Sequence, residues 1–528
     1  MIVIGVACFA GTDLRAQYSA DFQTNIISGV MSNWTGGYGV GGPFLGDVLL
    51  VQNGGVLSNQ GGSIGSGTGT NSAVVSGPGS VWNNTSLTVG IESSGNSLVI
   101  SNGGKVIDTS TCFVPAGDIG VSNRVLVTDP GSVWTNGDDA LFVGAGYNSL
   151  VISNGGQVYN NNWEMGLGVP SVSNLVVVTG PGSIWHTLNA LFVGYRSAGN
   201  EVIIANGGTA TATNGVYIGL DITADSNGIV VTGTGSVLTC PDLHLGGGAP
   251  GNYLKILGGG HVVDDVASLG NSNNTALVSD PGSVWSNGTL SVAGDPNNSL
   301  VISNGSLVVD DWVDIGPGFA NSNTVRIVDG GMWRNNTLNV GDAGSGNSLV
   351  IDGGQVSALN LVVGLEATTC DNIVELDGGS LSVTNASGNA VLQVLNGKLI
   401  VNGGVLRVDQ LVLVNNGCGT EFVHNGGTLI IGNMLAIDPG AYYITEVSRR
   451  ANDVRISWVM RGGLNINVLQ ASAGGVDGSY STNGFADIFA VTNSWDNTVT
   501  NYLDVGAATN SPARYYRVHL VPWDGGVE

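Results

Sequence analysis

The sequence predicts an all-β fold: a right-handed parallel β-helix, that is, a solenoid of about 25 residues per rung, followed by a small C-terminal β-sandwich-like module. Three observations lead there. Glycine supplies 86 of the 528 residues and charged side chains only 10%, against roughly 7% and 25% in an ordinary globular enzyme. A strand-like block recurs along most of the chain at nearly constant spacing. Within each copy, apolar and polar residues alternate with the two-residue period of a strand.

Each element follows in order. Residues 1–16 are read as an export signal, with a short apolar run from Ile2 to Gly11 ahead of Leu14-Arg15-Ala16 and no basic segment before it. Residues 17–44, including Trp34, are expected to form an atypical first coil that caps an open strand edge. Residues 45–440 carry the repeats. The block Asn96 to Gly104 returns at Asn148 to Gly156, in altered form at Asn200 to Gly208 and Asn252 to Gly260, then at Asn298 to Ser306 and Asn347 to Gly354. A second block, Pro78-Gly79-Ser80-Val81-Trp82, returns at Pro130, Pro181 and Pro281, with degenerate copies at Thr234 to Leu238 and Gly330 to Trp333. A third signal, an apolar residue followed by glycine, runs from Val89-Gly90 to Val363-Gly364 and sets a step of about 25 residues.

Side-chain alternation then assigns the faces. In Leu98-Val99-Ile100 the outer residues point inward and Val99 outward; the matching outward slots hold Val151, Ile203, Val301 and Lys255. Lysine at that slot fixes the assignment, since an unpaired ammonium is very costly in a core. The Pro-Gly pairs place a corner on alternate rungs. The tryptophans that follow, Trp82, Trp134, Trp185, Trp285 and Trp333, should share one column. Two readings of that column stay open: a buried aromatic ladder, or an exposed row of platforms for sugar rings.

The alternation of Leu141-Phe142-Val143-Gly144, Asn148 to Gly156 and Val177 to Trp185 resembles the repeat associated with bacterial type V secretion and PEP-CTERM proteins. The resemblance spans roughly residues 45 to 380. It implies an autotransporter-passenger-like β-helix displayed at the cell surface or released outside the cell.

From residue 441 to 528 the composition changes, and six of the fifteen basic residues fall there. Val454 to Val459 and Tyr515 to Val521 read as alternating strands of a β module that covers the last rung. The segment Ala513 to Val518 is similar to the final strand of fibronectin-type modules.

The chemistry is sparse. A formal charge of −24 repels phosphate backbones, so no nucleic-acid partner is expected. No run approaches the roughly 18 apolar residues of a spanning helix. Cys8, Cys112, Cys240, Cys370 and Cys418 form no CxxC pair, so neither a zinc nor a redox motif is suggested. Cys370 and Cys418 lie two rungs apart, about 10 Å and beyond the ~7 Å limit for bridging, so all five are expected to be unbridged thiols. Asp264-Asp265 and Asp310-Asp311, with Asp314 nearby, should stack in one column and could bind calcium or act as acid and base. Asn59-Gln60, Asp108-Thr109, Asn160-Asn161 and Ala212-Thr213 share that column, which favours a solvated turn. His186, His244, His261, His424 and His519 are scattered and read as isolated surface residues. Asn and Ser before the glycine pairs are read as stacked turn ladders. No catalytic, cofactor-binding or metal residue is assigned.

The expected function is therefore an exported, non-enzymatic surface or extracellular solenoid with an adhesive or structural role. Its expected partners are glycans or other surface proteins. The alternative is a polysaccharide lyase or hydrolase, or a carbohydrate-binding protein, on the same scaffold.

Overall fold

The computed structural model describes residues 3–5, 18–115, 120–137, 140–166, 172–294, 296–414, 420–437, 443–460, 465–474, 484–492, 498–509 and 513–522. Among the described residues there is no helix. The chain divides into two compact units, Met1–Leu411 with Thr420–Met434, and Val412–Gly419 with Leu435–Glu528.

The first unit is a parallel β-solenoid of about 16 stacked coils. Its strands form one sheet of 18 and one of 30, because a typical coil gives one strand to the first and two to the second. In one such coil Ser97–Ser101 joins the first sheet, and Lys105–Asp108 and Cys112–Val114 join the second. All three continue in register into the next coil, with Leu98 opposite Val125, Val106 opposite Trp134 and Phe113 opposite Phe142. A complete coil already exists at Thr24–Ser28, Met31–Asn33 and Tyr38–Val40, paired in parallel with the following one. The export-signal expectation falls on residues of which only 3–5 are described, as a strand alongside Thr24 to Ile26.

The alternation holds. Leu254 and Ile256 are fully buried while Lys255 is exposed, its ammonium 4.6 Å from the centre of the Tyr253 ring. The turn Asn102-Gly103-Gly104 needs its glycines for two reasons. Asn102 and Gly103 adopt φ of 50° and 84°, and a Cβ on Gly104 would lie 2.3 Å from the Val75 carbonyl oxygen of the preceding coil. Ser132 of the second block is buried, and its Oγ accepts the Gly103 N–H at 2.9 Å. Ser183 does the same for Gly155. The serines before the glycines stack as expected, with Ser101 Oγ donating to Ser76 Oγ at 3.1 Å.

The asparagine that opens each block does something the sequence reading did not assign. Asn71, Asn96, Asn123, Asn148, Asn174, Asn200, Asn227, Asn252, Asn274, Asn298, Asn323, Asn347 and Asn372 form a buried column at no more than 1% exposure. From Asn71 to Asn347 each backbone N–H donates to the Oδ1 of the next asparagine, for example Asn148 to Asn174 at 3.0 Å and Asn227 to Asn252 at 2.9 Å. The column starts with Asp47 N–H donating to Asn71. It also explains the apolar-glycine signature at several of its positions. A Cβ on Gly90, Gly194, Gly219 or Gly246 would meet the side-chain atoms of Asn123, Asn227, Asn252 or Asn274 at 2.1 to 2.6 Å. At these positions the glycine is the socket for an asparagine of the next coil, whereas Gly120, Gly144 and Gly270 face other residues.

The cysteine expectation needs correction. Cys112 and Cys240 are buried, unbridged thiols, but Cys370 is disulfide-bonded, to a partner outside the described residues. The estimate of two whole rungs applies to residues fixed in strands. Cys370 lies outside the strands, in the turn before Asn372–Leu376.

The second unit is antiparallel and sandwich-like. One three-stranded sheet contains Tyr443–Arg450, Asp453–Met460 and Thr498–Asp504; the other contains Ala486–Thr492, Asn465–Gly474 and Ala513–Pro522. Ile456, Trp458, Met460 and Leu469 form the core, with Phe489, Tyr502 and Val518 packed against it.

Candidate functional site

The tryptophan column is buried. Trp82, Trp134, Trp185, Trp285 and Trp333 are at most 1% exposed, which removes them as platforms for sugar rings. Register alternates them with smaller residues: Val106 follows Trp82, and Val158 lies between Trp134 and Trp185. A bulky ring on every second rung fills the width of the coil, and the small neighbour leaves room for it. A buried indole N–H needs an acceptor, and each finds one on the preceding coil. Trp82 donates to Asn59 Oδ1 at 2.7 Å, Trp134 to Asp108 Oδ2 at 2.7 Å and Trp185 to Asn160 Oδ1 at 3.0 Å. Trp285 donates to Asp264 Oδ2 at 2.7 Å, and Trp333 to Asp310 Oδ2 at 2.5 Å.

This corrects the reading of the acidic pairs as solvated turns. Asp108, Asp264 and Asp310 are 1%, 4% and 3% exposed, whereas Asp265 and Asp311 point out to solvent. One member of each pair faces inward and the other outward, so the two carboxylates cannot chelate one ion or work as acid and base on one substrate. Asp311 instead accepts from Asn336 and Asp314 from Asn339, at 2.8 and 2.7 Å. Burial pushes the carboxyls of Asp108, Asp264 and Asp310 up to about 7, against the lowering effect of the indole donors. Among the described residues no group of three or more His, Cys, Asp and Glu side chains is arranged to hold a metal ion.

Two of the histidines are not isolated. They belong to half-buried ladders on the outer face of the 30-stranded sheet. In the longer ladder, register stacks Phe113, Phe142, Glu164, Phe192, Tyr217, His244 and Ser268 on successive coils. Phe113 and Phe142 stack at 5.1 Å, as do Phe192 with Tyr217 and Tyr217 with His244. Tyr195 meets Phe192 edge-on at 5.5 Å and carries the Arg196 guanidinium 5.2 Å from its ring centre. Partial burial raises the Glu164 carboxyl above the usual carboxylate range, and Arg196 opposes that shift. In the parallel column of outward residues, Tyr159 and His186 pack edge-on at 6.1 Å. His261, His424 and His519 are exposed, as expected.

His244 Nδ1 lies 2.8 Å from Ser268 Oγ. The pair has no carboxylate hydrogen-bonded to the other ring nitrogen among the described residues, so it lacks the orienting third group of a nucleophilic triad. The ladder presents ring edges, one carboxyl and one guanidinium, which suits contact more than bond-breaking. Alternation made it legible: in Leu141-Phe142-Val143-Gly144, Leu191-Phe192-Val193-Gly194 and Val216-Tyr217-Ile218-Gly219 the residue two before the glycine must face out.

On the same face, a hollow of about 110 Å³ lies against Met332, Arg334, Gln355, Ser357, Ser380 and Ser382. It is well below the roughly 300 Å³ at which small-molecule pockets begin. No protein-family model matches the chain, and no curated protein matches it.

Proposed function

We propose that this chain is an exported, non-enzymatic solenoid that serves as adhesive or structural material at or beyond a bacterial cell surface, akin to the type V secretion and PEP-CTERM-associated repeats it resembles. One observation carries the reading. The side chains with most chemical potential, the tryptophans of the column and the inward aspartates Asp108, Asp264 and Asp310, are consumed as hydrogen-bond partners inside the scaffold. What faces outward is a regular sheet surface with a stacked aromatic ladder. The disulfide at Cys370 supports an oxidising destination, and the net charge of −24 argues against nucleic acid and anionic lipid as partners.

Purified full-length chain incubated with plant, algal and host glycans should leave every polymer intact, read as reducing-end release and product size. Depolymerisation of any one polymer sinks the non-enzymatic reading. A second reading, carbohydrate binding, is favoured by the outward ladder and no longer by the tryptophan column. Retention on a glycan array that disappears in a Phe192→Ala, Tyr217→Ala double variant of unchanged melting temperature supports it.

A further inference from the structure

We infer that Asp264 carries a proton, donated from its Oδ1 to Asn287 Oδ1, and that this proton completes a buried hydrogen-bonded chain running Trp285, Asp264, Asn287, Asp310, Trp333. The argument starts from donors and acceptors. Asp264 Oδ2 accepts from Trp285 Nε1 at 2.7 Å. Asn287 Nδ2 donates to Asp310 Oδ1 at 2.7 Å, which fixes the amide's orientation. Asp310 Oδ2 accepts from Trp333. Two buried atoms then remain without a partner, Asp264 Oδ1 and Asn287 Oδ1. Both are acceptors when Asp264 is ionised. They sit on adjacent coils, one residue beyond the register pair Val263 and Ser286. A single proton on Asp264 turns one acceptor into a donor and satisfies both.

A related arrangement lies nearer the N-terminal end of the solenoid. Asn136 Nδ2 donates to the Ala140 carbonyl at 2.9 Å, leaving Asn136 Oδ1 bare. Its register partner Asp108 gives Oδ2 to Trp134, but here the Asn84 amide and Cys112 thiol are further donors to the carboxyl, so its protonation is less strictly required than at Asp264.

The surrounding charges agree. The groups acting on Asp264 are Asp242, Asp265 and Asp310, all of which disfavour its ionisation, together with the Trp285 donor. The Cys240 thiol is also near and is itself pushed up by burial. Asp310 feels Asp311 from its own strand and the donors Trp333 and Asn287 from the next and previous coils. None of these groups is a cation.

The sign of the pH dependence follows. Asp264, Asp310 and Asp108 titrate near 7 in the folded chain and near 3.9 when unfolded. Between those values the folded state holds more protons, so stability falls as pH rises through about 4 to 7 and is lowest above that window.

The test uses the full chain, melted from about pH 4.5 to about pH 8.5, with infrared detection of a buried protonated-carboxyl C=O stretch at neutral pH. The wild type should lose melting temperature as pH rises and should show the band. Asp264→Asn supplies an amide donor to Asn287, so it should match the wild type at the acid end and show a shallower pH slope and a weaker band. Asp108→Asn in addition should flatten the slope further. Absence of the band in the wild type overturns the proposal, and that readout survives a variant that fails to fold. So does an unchanged pH slope in Asp264→Asn. A melting temperature that rises with pH and with added calcium or sodium also overturns it, because a cation would then occupy the place of the proton.

Discussion

The two units satisfy buried polar groups in opposite ways. In the solenoid the same bond is repeated along the axis, backbone N–H to asparagine Oδ1, between residues 22 to 27 apart in sequence. Among its described residues the ion pairs are few and solvent-screened: Arg196 with Asp221, and Lys398 with Glu421, have side chains 40% to 56% exposed. In the C-terminal unit one carboxylate, Asp504, gathers Arg514 Nε at 2.6 Å and the Tyr516 hydroxyl at 3.0 Å. An axial ladder connects each coil to its neighbours in series, so a lesion in one rung disturbs the bonds on both sides. A local cluster confines its damage to a few side chains. Solenoid stability is accordingly a sum of nearest-neighbour terms.

The largest effect is expected at a socket glycine. Gly219 has φ of 70°, and a Cβ there would lie 2.2 Å from Asn252 Nδ2. Gly219→Val therefore adds backbone strain and expels an asparagine that holds two ladder bonds. The expected cost is more than about 4 kcal/mol. Hydrogen-exchange mass spectrometry should show lost protection in the coils of Asn227, Asn252 and Asn274. Gly506 of the C-terminal unit has φ of 73°, and Gly506→Ala should cost only about 1 kcal/mol. Equal losses at the two glycines would mean that the socket adds nothing beyond backbone strain.

Removing the ladder residue itself should cost less. Asn252→Ala leaves the Asn227 N–H and the Ala249 carbonyl without their partners, for a loss of about 2 to 3 kcal/mol. Asn252→Asp keeps an acceptor for Asn227 but aims a carboxylate at the Ala249 carbonyl. It should be tolerated at acid pH and destabilised at neutral pH, which urea titration at two pH values would read.

These two residues also mark what the sequence made legible. The recurrence of asparagine and of apolar-glycine steps was plain, and it fixed the coil length and the inward faces. Their meaning was hidden, because the glycine serves an asparagine of the following coil and no single repeat contains both halves of that contact. The tryptophan acceptors were hidden for the same reason, since Trp134 and Asp108 are 26 residues apart. A cross-coil comparison would have exposed them: the degenerate block with Leu238 in place of tryptophan is preceded one coil earlier by Ala212, where the others have Asn or Asp. The solvated-turn reading of the aspartates failed because it considered each pair as a unit, while the chain turns one member inward to meet a tryptophan of the following coil. In the C-terminal unit the strands were readable from alternation, but Asp504 with Arg514 and Tyr516 has no second copy to betray it.

That cluster gives the smallest and most local expectation. The Arg514 and Asp504 side chains are 25% and 11% exposed, so their contact is partly screened. Arg514→Met should cost about 1 to 2 kcal/mol at low salt and less at high salt. Tyr516→Phe should cost about 1 kcal/mol. Each single change leaves Asp504 one donor, and the double variant leaves it neither. The combined loss should therefore exceed the sum of the two. Protection in the asparagine-ladder coils should stay unchanged in all three variants. Strict additivity would show that the two donors act on Asp504 independently and that the cluster is not a unit.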